Sequence, residues 1–516
     1  MNDNKISKNS IVAKFAIPIS FLILFFLAAN FTDCDLVTFW KRRNHLTDLV
    51  VDMIPPDFSY IQKILLPLFY TIQMSVTGTV LGIFFALVLS PFGAANLGFP
   101  AVIRRILRIV IQILRSFPAL ILALTATFLF GLGTFAGTFA ITLYTFAIMT
   151  KLTYEDASAA DVKAYQALRA MGVSKYVAYI HGILPEIIPG FLTNALYLLE
   201  TNVRHSSILG YVGAGGIGLL LNEKISWLEY DKVGTILLML FLTVCVIEYF
   251  SRYLAALIRK ERTIKKEQAR LLLLFLAALF LICTFTLSLP DFSRTSPQTL
   301  RNMFAGFLQP DWSFFFSAEK DGLGYLLLET VCIAFIGTVI GAIVSAPLAF
   351  LNTKRFVPAP VSFLFNLVIM VIRSVPFLVY GLIFIRVSGP GAFTGVLTLA
   401  VCSIGLLTKR FTEALDALDP RPYHALLAMG VRPLPAICHS VLPQLKPVFT
   451  SIILYRFDVN IREASVLGLV GAGGIGAPLI FSMNQYAWEK AGAIMLGLIL
   501  LVWFIDMVSE KIGAGN

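Results

Sequence analysis

Charge is what this sequence is short of. Only 14% of its 516 residues are Asp, Glu, Lys or Arg, against about 25% in an average soluble domain. With 58% hydrophobic residues the chain lacks the polar surface to cover itself in water, which excludes an ordinary soluble globule. The formal net charge is +11, but the basic residues sit in short loops between apolar runs and form no single stripe, so nucleic acid is not an expected partner. Cysteine is scarce too. The six (Cys34, Cys245, Cys283, Cys332, Cys402 and Cys438) are scattered with no CxxC pair, so neither a zinc site nor a disulfide framework is suggested. No Gly-Lys dipeptide occurs anywhere, hence no phosphate-binding P-loop and no ATP hydrolysis by this chain. The five histidines are dispersed, and no paired carboxylates, Ser/His/Asp set or metal cluster stands out. An enzyme is not expected, nor a metal or a cofactor within this chain.

Apolar runs are what the chain has instead. They fall at about 11–30, 64–90, 106–132, 134–150, 186–221 and 233–257, then at about 270–289, 324–350, 363–387, 391–408, 445–480 and 491–508. Some twenty apolar residues suffice to cross a bilayer as a helix. The expected fold is an all-α polytopic membrane protein with about twelve transmembrane helices. The first run follows a polar segment with three lysines but shows no small-residue cleavage site, so it is expected to be retained as a helix. Basic residues cluster in 259–270, 91–108 and 352–360. If these loops are cytoplasmic, the alternation of spans puts both termini in the cytoplasm.

The chain is also written twice. Asn202 to Gly218 (NVRHSSILGYVGAGGIG) returns as Asn460 to Gly476 (NIREASVLGLVGAGGIG), with 12 of 17 positions identical at an offset of 258 residues. Thr71, Gly78 and Gly82 pair with Thr330, Gly337 and Gly341, and Arg115-Ser116-Phe117-Pro118 pairs with Arg373-Ser374-Val375-Pro376. The expected organisation is a first repeat of six spans at 1–258, a basic linker at 259–270, and a second repeat of six spans at 271–516. Two repeats in one orientation are parallel repeats, with a translocation pathway expected where they meet.

Three sets of residues could carry function. Arg204 and Arg462 lie within long spans, beside Asn202 and Asn460 and four residues after Glu200 and Asp458. A guanidinium suits an oxyanion because its planar fork donates paired hydrogen bonds. Equally, each Arg could pair with the acid four residues earlier to neutralise buried charge, and the residues leave both readings open. Arg115 and Arg373, each ahead of a Ser-x-Pro, could line the pathway or snorkel to headgroups. The glycines 213, 215, 216 and 218, with 471, 473, 474 and 476, satisfy G-x-G-x-x-G, but no βαβ unit surrounds them, so a packing or gating element near the outer end of the pathway is expected. Last, AYQALRAMGVSKYVAYIHGILP (164–185) matches PYHALLAMGVRPLPAICHSVLP (422–443). Each reads as a short helix, a Gly stop at Gly172 or Gly430, and a second helix, suited to docking into a partner.

Within those segments Ala167, Met171 and Gly172, and Ala425, Met429 and Gly430, precede a Leu-Pro by a fixed spacing. This resembles the EAA loop of ABC-importer permeases, which seats in a groove of the ATPase subunit. Together with N-x-R and G-A-G-G-I-G it resembles the phosphonate-importer permease family, with two permease units fused in one chain. Gln166 and His424 stand where many such permeases have the loop Glu. The resemblance implies a type I ABC-importer (MetI-like) permease fold in a bacterial inner membrane. It implies two ABC ATPase subunits that supply ATP and magnesium chemistry, an external substrate-binding protein, and a phosphonate or related phosphorus oxyanion as cargo. The same machine with a thiamine-like cargo is one alternative, an ion-driven secondary transporter another, and an intramembrane enzyme the weakest.

Overall fold

The computed structural model describes residues 19–259, 265–290, 297–317, 319 and 322–514. Residues 1–18 and part of the basic linker, 260–264, lie outside the described residues. Among those described the chain is helical, with no strand. In order come α1 (Ile19–Phe31), α2 (Leu36–Lys41), α3 (Arg43–Asp52), α4 (Ile61–Gly93), α5 (Ala101–Ser116), α6 (Ala119–Phe130), α7 (Thr134–Ala159), α8 (Lys163–Ala170), α9 (Lys175–Gly182), α10 (Leu184–Leu209), α11 (Ile217–Ser226) and α12 (Tyr230–Ile258). The second half runs through α13 (Lys266–Phe285), α14 (Pro297–Leu308), α15 (Trp312–Phe315), α16 (Leu323–Asn352), α17 (Ala359–Ser374), α18 (Phe377–Ser388), α19 (Ala392–Ala417), α20 (Arg421–Ala428), α21 (Pro433–Ala436), α22 (Leu442–Leu467), α23 (Gly476–Asn484) and α24 (Trp488–Ala514).

Among the described residues, eight helices are long and apolar enough to cross a membrane. Three helix pairs reach that length only across a sharp bend: α5 and α6 meet at 96°, α9 and α10 at 69°, and α17 and α18 at 87°. With the shorter apolar α1, each of the twelve apolar runs overlaps helix in its described part. Two of the breaks have a plain chemical cause. Pro118 and Pro376 follow Ser116-Phe117 and Ser374-Val375, where a ring without an N–H ends one helix and starts the next.

The centre of each half is one tight helix pair. α4 lies on α7 through Gly78 and Gly82, where an added Cβ would come within 2.8 Å of the Ile141 side chain and 2.6 Å of Thr145 Cβ. α16 lies on α19 through Gly337 and Gly341 in the same way, with Leu399 Cβ at 2.7 Å and Ser403 Cβ at 2.4 Å. Glycines four apart remove the bulk on one helix face, so backbones approach without any help from a hydrophobic drive between helices.

Two compact units emerge, and they do not follow the halves of the sequence. One comprises the described residues as far as Asp48 with Ala305–Arg373 and those from Phe377 on; the other is Leu49–Phe304 with Ser374–Pro376. Thus α1, first in the chain, packs on the second-repeat helix α16, with the Phe21 and Phe335 rings 5.5 Å apart and Phe31 and Tyr325 4.9 Å apart. Conversely α13, which opens the second repeat, packs on α4: Gln73 Nε2 donates to the Cys283 carbonyl at 3.0 Å and to Thr286 Oγ1 at 2.8 Å.

Candidate functional site: glycine loops, buried polar clamps and paired elbows

α10 ends in a short tight turn, and the glycine run carries the chain from there into α11. Gly213, Gly215 and Gly216 have φ of 83°, 76° and 78°, and Gly471, Gly473 and Gly474 repeat them at 73°, 76° and 78°. These left-handed angles are why the run is glycine. At Gly218 and Gly476 the reason is space, since an added Cβ would lie 2.3 Å from the Ser207 carbonyl oxygen and 2.5 Å from that of Ser465. Each loop hangs from a threonine: Ile217 N–H donates to Thr71 Oγ1 at 2.9 Å, and Ile475 N–H to Thr330 Oγ1 at 3.1 Å. The second loop has an extra tie, from Gly474 N–H to Glu329 Oε2 at 2.9 Å. Position 70, before Thr71, is Tyr. Both loops sit at the starts of α7 and α19, where Gly133 N–H and Gly391 N–H donate to Gly213 and Gly471.

In the C-terminal third of α10 and of α22 lie the polar residues singled out in the sequence. Asn202 and Asn460 are fully buried. Asn202 Nδ2 donates to Thr79 Oγ1 and Thr145 Oγ1, both at 2.7 Å; Asn460 Nδ2 donates to Thr338 Oγ1 at 2.6 Å and Ser403 Oγ at 2.9 Å. Each asparagine therefore uses its amide donors to clamp three helices, which defines a packing task the sequence did not reveal. Arg204 faces Glu200 at 3.2 Å, with 12% and 6% of their side chains exposed. Arg462 pairs with Asp458 in the same i, i+4 manner. The charge-neutralising pairs are thus formed in both halves, and the two arginine side chains are 12% and 13% exposed.

One charged pair escaped the sequence reading. Arg456, 4% exposed, donates from Nε to Ser403 Oγ at 3.1 Å and from a terminal nitrogen to Glu463 Oε2 at 2.8 Å. At the same offset the first half has Leu198 and His205. The clamp of the second half is therefore extended by an ion pair, whereas in the first half His205 lies edge-on to Tyr144, centroids 5.0 Å apart. The signal available in the sequence was a second Arg and Glu seven residues apart inside a span. Arg373 is likewise buried, 9% exposed, at the end of α17, its chain packed against Gly405 in the middle of α19. Arg115 is half-buried.

At the other end of α7 and α19 stand the elbows. The 26 residues of α7 separate them from the glycine loop by about 39 Å at 1.5 Å per residue. Just ahead of α8, Asp161 accepts the Lys163 N–H at 3.0 Å, and that bond holds its carboxyl below the usual Asp value. Asp419 accepts the Arg421 N–H at 3.0 Å likewise. Both first helices end in a Schellman turn, with Val173 N–H to the Leu168 carbonyl and Val431 N–H to that of Leu426. Gly172 and Gly430 both have φ of 83°, with nothing within 4 Å of an added Cβ. Ala167, Met171 and Gly172 are exposed, as are Ala425, Met429 and Gly430. Met171 is 71% exposed and Met429 77%. Beneath the first elbow, Tyr165, Tyr179 and Ile183 pack with Leu97 and Ala157. Beneath the second, the Phe411 and Phe449 rings stack 3.9 Å apart. The second elbow departs in one respect, α21 running into a π-helical turn at Ile437–Val441.

A further repeated element had gone unnoticed. Asp57 and Asp311, in Pro-Asp-aromatic-Ser, cap their turns by accepting the N–H of Ser59 at 2.9 Å and of Ser313 at 3.0 Å. Their own N–H groups donate to Asp231 and Glu489, at the starts of α12 and α24.

Among the described residues no group of three or more His, Cys, Asp or Glu could hold a metal ion. Paired helical units, each with a buried polar clamp between a glycine loop and an exposed elbow, define a multi-span membrane permease. The chain belongs to the family of binding-protein-dependent transport system inner membrane components, whose signature matches residues 78–263 and again 337–512. It is 27% identical over 474 residues to a phosphate-import permease protein of Mycolicibacterium smegmatis, covering 90% of this chain and 88% of that one. A phosphite transport system permease protein of Stutzerimonas stutzeri is 36% identical over 184 residues, covering 36% of this chain and 67% of the relative. A putative cryptic phosphonate transport system permease protein of Escherichia coli K12 is 37% identical over 117 residues, 23% of this chain and 96% of the relative.

Proposed function

We propose that this chain supplies the translocation pathway of an ATP-driven importer for a small phosphorus oxyanion, namely phosphate, a phosphonate or phosphite. The observation that carries the reading is the duplicated elbow: an exposed Ala-x-x-x-Met-Gly surface on a firm aromatic footing, presented twice. Two ATPase subunits would seat there, and ATP with magnesium would act in them, since this chain has no P-loop. An external binding protein would deliver the cargo. The elbows and both termini would face the cytoplasm of a bacterial inner membrane. The duplicated unit would be 1–258 and 271–516, joined by the linker 259–270.

The cargo class rests on the relatives' names and on the chemistry of Arg204 and Arg462. Each arginine is held by a carboxylate, with 12% and 13% of the side chains exposed, so an oxyanion could exchange with the carboxylate as an anionic acceptor for the guanidinium fork. Asn202 and Asn460 would position these arginines by fixing the helices. Arg115 and Arg373 would act where the broken spans bend, and the glycine loops would form the outer gate.

The test is uptake into proteoliposomes holding the chain, its ATPase and its binding protein. Phosphate, phosphite, a phosphonate and thiamine are offered with ion gradients collapsed. Saturable, ATP-dependent uptake of a phosphorus oxyanion is expected. Uptake of thiamine alone would overturn the cargo, and uptake lost with the gradients would overturn the drive.

A further inference from the structure

We propose that α5 carries a binding site for the phosphate headgroup of an anionic phospholipid, formed by Arg104, Arg105 and Arg108 in the leaflet on the elbow side of the membrane. The helix is sharply two-sided. Val102, Ile103, Ile106, Ile109, Val110 and Ile113 share one exposed face, between 39% and 68% accessible. Their spacing of three and four residues is that of a helix lying against acyl chains. The arginines fall outside this stripe, Arg105 exposed on its flank and Arg104 and Arg108 half-buried behind it.

Contacts fix their depth. Arg108 Nε donates to the carbonyl of Gly93 at 3.0 Å, at the end of α4, and its guanidinium lies 5.0 Å from the Tyr154 ring, near the end of α7. Arg104 is directed to the carbonyl of Ala95, two residues on. The segment between is tied to the end of α7 and to the elbow, Asn96 Nδ2 donating to the Ala157 carbonyl at 2.9 Å and Tyr165 OH to the Leu97 carbonyl at 2.6 Å. The first turns of α5 thus lie at the level where α4 and α7 end, the level of lipid headgroups on that side.

Charge then selects the occupant. No Asp or Glu occurs between Asp57 and Glu155, so the three guanidinium groups meet no acid from their own stretch of chain. A lipid phosphate supplies the missing charge, and its acyl chains cover the apolar face beside it. The site belongs to one half only. At the same offset α17 carries Ser362, Phe363 and Asn366, although its exposed apolar face persists in Val361, Leu364, Leu367, Val368 and Val371. Because α5 and α8 grip the same loop, the lipid would brace the first elbow alone.

The experiment is native mass spectrometry of the full chain in detergent, titrated with phosphatidylglycerol, phosphatidylcholine or inorganic phosphate. Phosphatidylglycerol is expected to be retained preferentially. Each basic side chain at an anionic surface contributes roughly fivefold. The triple variant Arg104→Gln, Arg105→Gln, Arg108→Gln should therefore lose about a hundredfold in apparent affinity. Should the triple variant not fold, Arg105→Gln alone, on an exposed side chain, should lose about fivefold. Arg421→Gln, an equal charge loss on an elbow, should change nothing. Equal retention of phosphatidylcholine, unchanged affinity in the arginine variants, or binding of inorganic phosphate in place of the lipid would overturn the proposal.

Discussion

Arg456→Leu tests how the second half is held together. The substitution removes one member of an ion pair whose side chains are 4% and 16% exposed, and takes from Ser403 the donor at 3.1 Å. Glu463 is left without its guanidinium in a mostly buried place. Breaking a buried pair on one side costs about 3–5 kcal/mol. For a unit of this size that corresponds to a fall of roughly 10 °C in the midpoint of thermal unfolding. The first half, however, shows that the same scaffold stands without the pair, because Leu198 and His205 occupy the equivalent positions. The double variant Arg456→Leu, Glu463→His should therefore recover most of the loss. Fluorescence-monitored unfolding of the purified chain measures both at one heating rate. Equal falls in single and double variants would show that the pair does not act as a unit, and the reasoning would fail.

Four further outcomes follow from the geometry. Gly172→Val and Gly430→Val force a β-branched residue to a φ of 83°, at about 1–2 kcal/mol each. They should uncouple ATP hydrolysis from uptake while expression is kept; unchanged coupling would remove the elbows' role. Glu329→Ala frees the Gly474 N–H from its 2.9 Å tie and should raise ATP hydrolysis in the absence of binding protein, whereas Glu329→Gln, which keeps an acceptor oxygen, should not; identical behaviour would refute a role for this tie in holding the outer glycine loop. Arg204→Ala with Arg462→Ala should lower uptake of anionic cargo at least tenfold more than it lowers protein abundance, and equal losses would assign both arginines to structure alone. Asn202→Leu strands Thr79 and Thr145, each now at 2.7 Å from its amide. It should cost about 1–3 kcal/mol of stability, seen as reduced yield, and a fully stable variant would refute the clamp.

Much of this molecule could be read from residues in a row. Spans show as apolar runs, the duplication shows in NVRHSSILGYVGAGGIG and its copy, and the elbows show because Ala167, Met171 and Gly172 return as Ala425, Met429 and Gly430. Positive φ at Gly172 and Gly430, like the breaks before Pro118 and Pro376, follows from the backbone preferences of Gly and Pro. What stayed hidden lives in contacts between distant residues. Nothing in α1 or α13 says which repeat each packs on, because a lipid-facing helix reads the same beside any neighbour. The amide of Asn202 could have met cargo, and only the approach of Thr79 and Thr145, 123 and 57 residues away, shows it engaged. Arg456 was masked by the more conspicuous Arg462, although it is the more buried of the two.

The elbows are where the account is most exposed. A photo-reactive amino acid at Met171, and separately at Met429, in the assembled importer should link each position to an ATPase subunit on illumination, more strongly with ATP bound. If neither position links to an ATPase while uptake stays intact, the motors do not act through these elbows and the account is wrong.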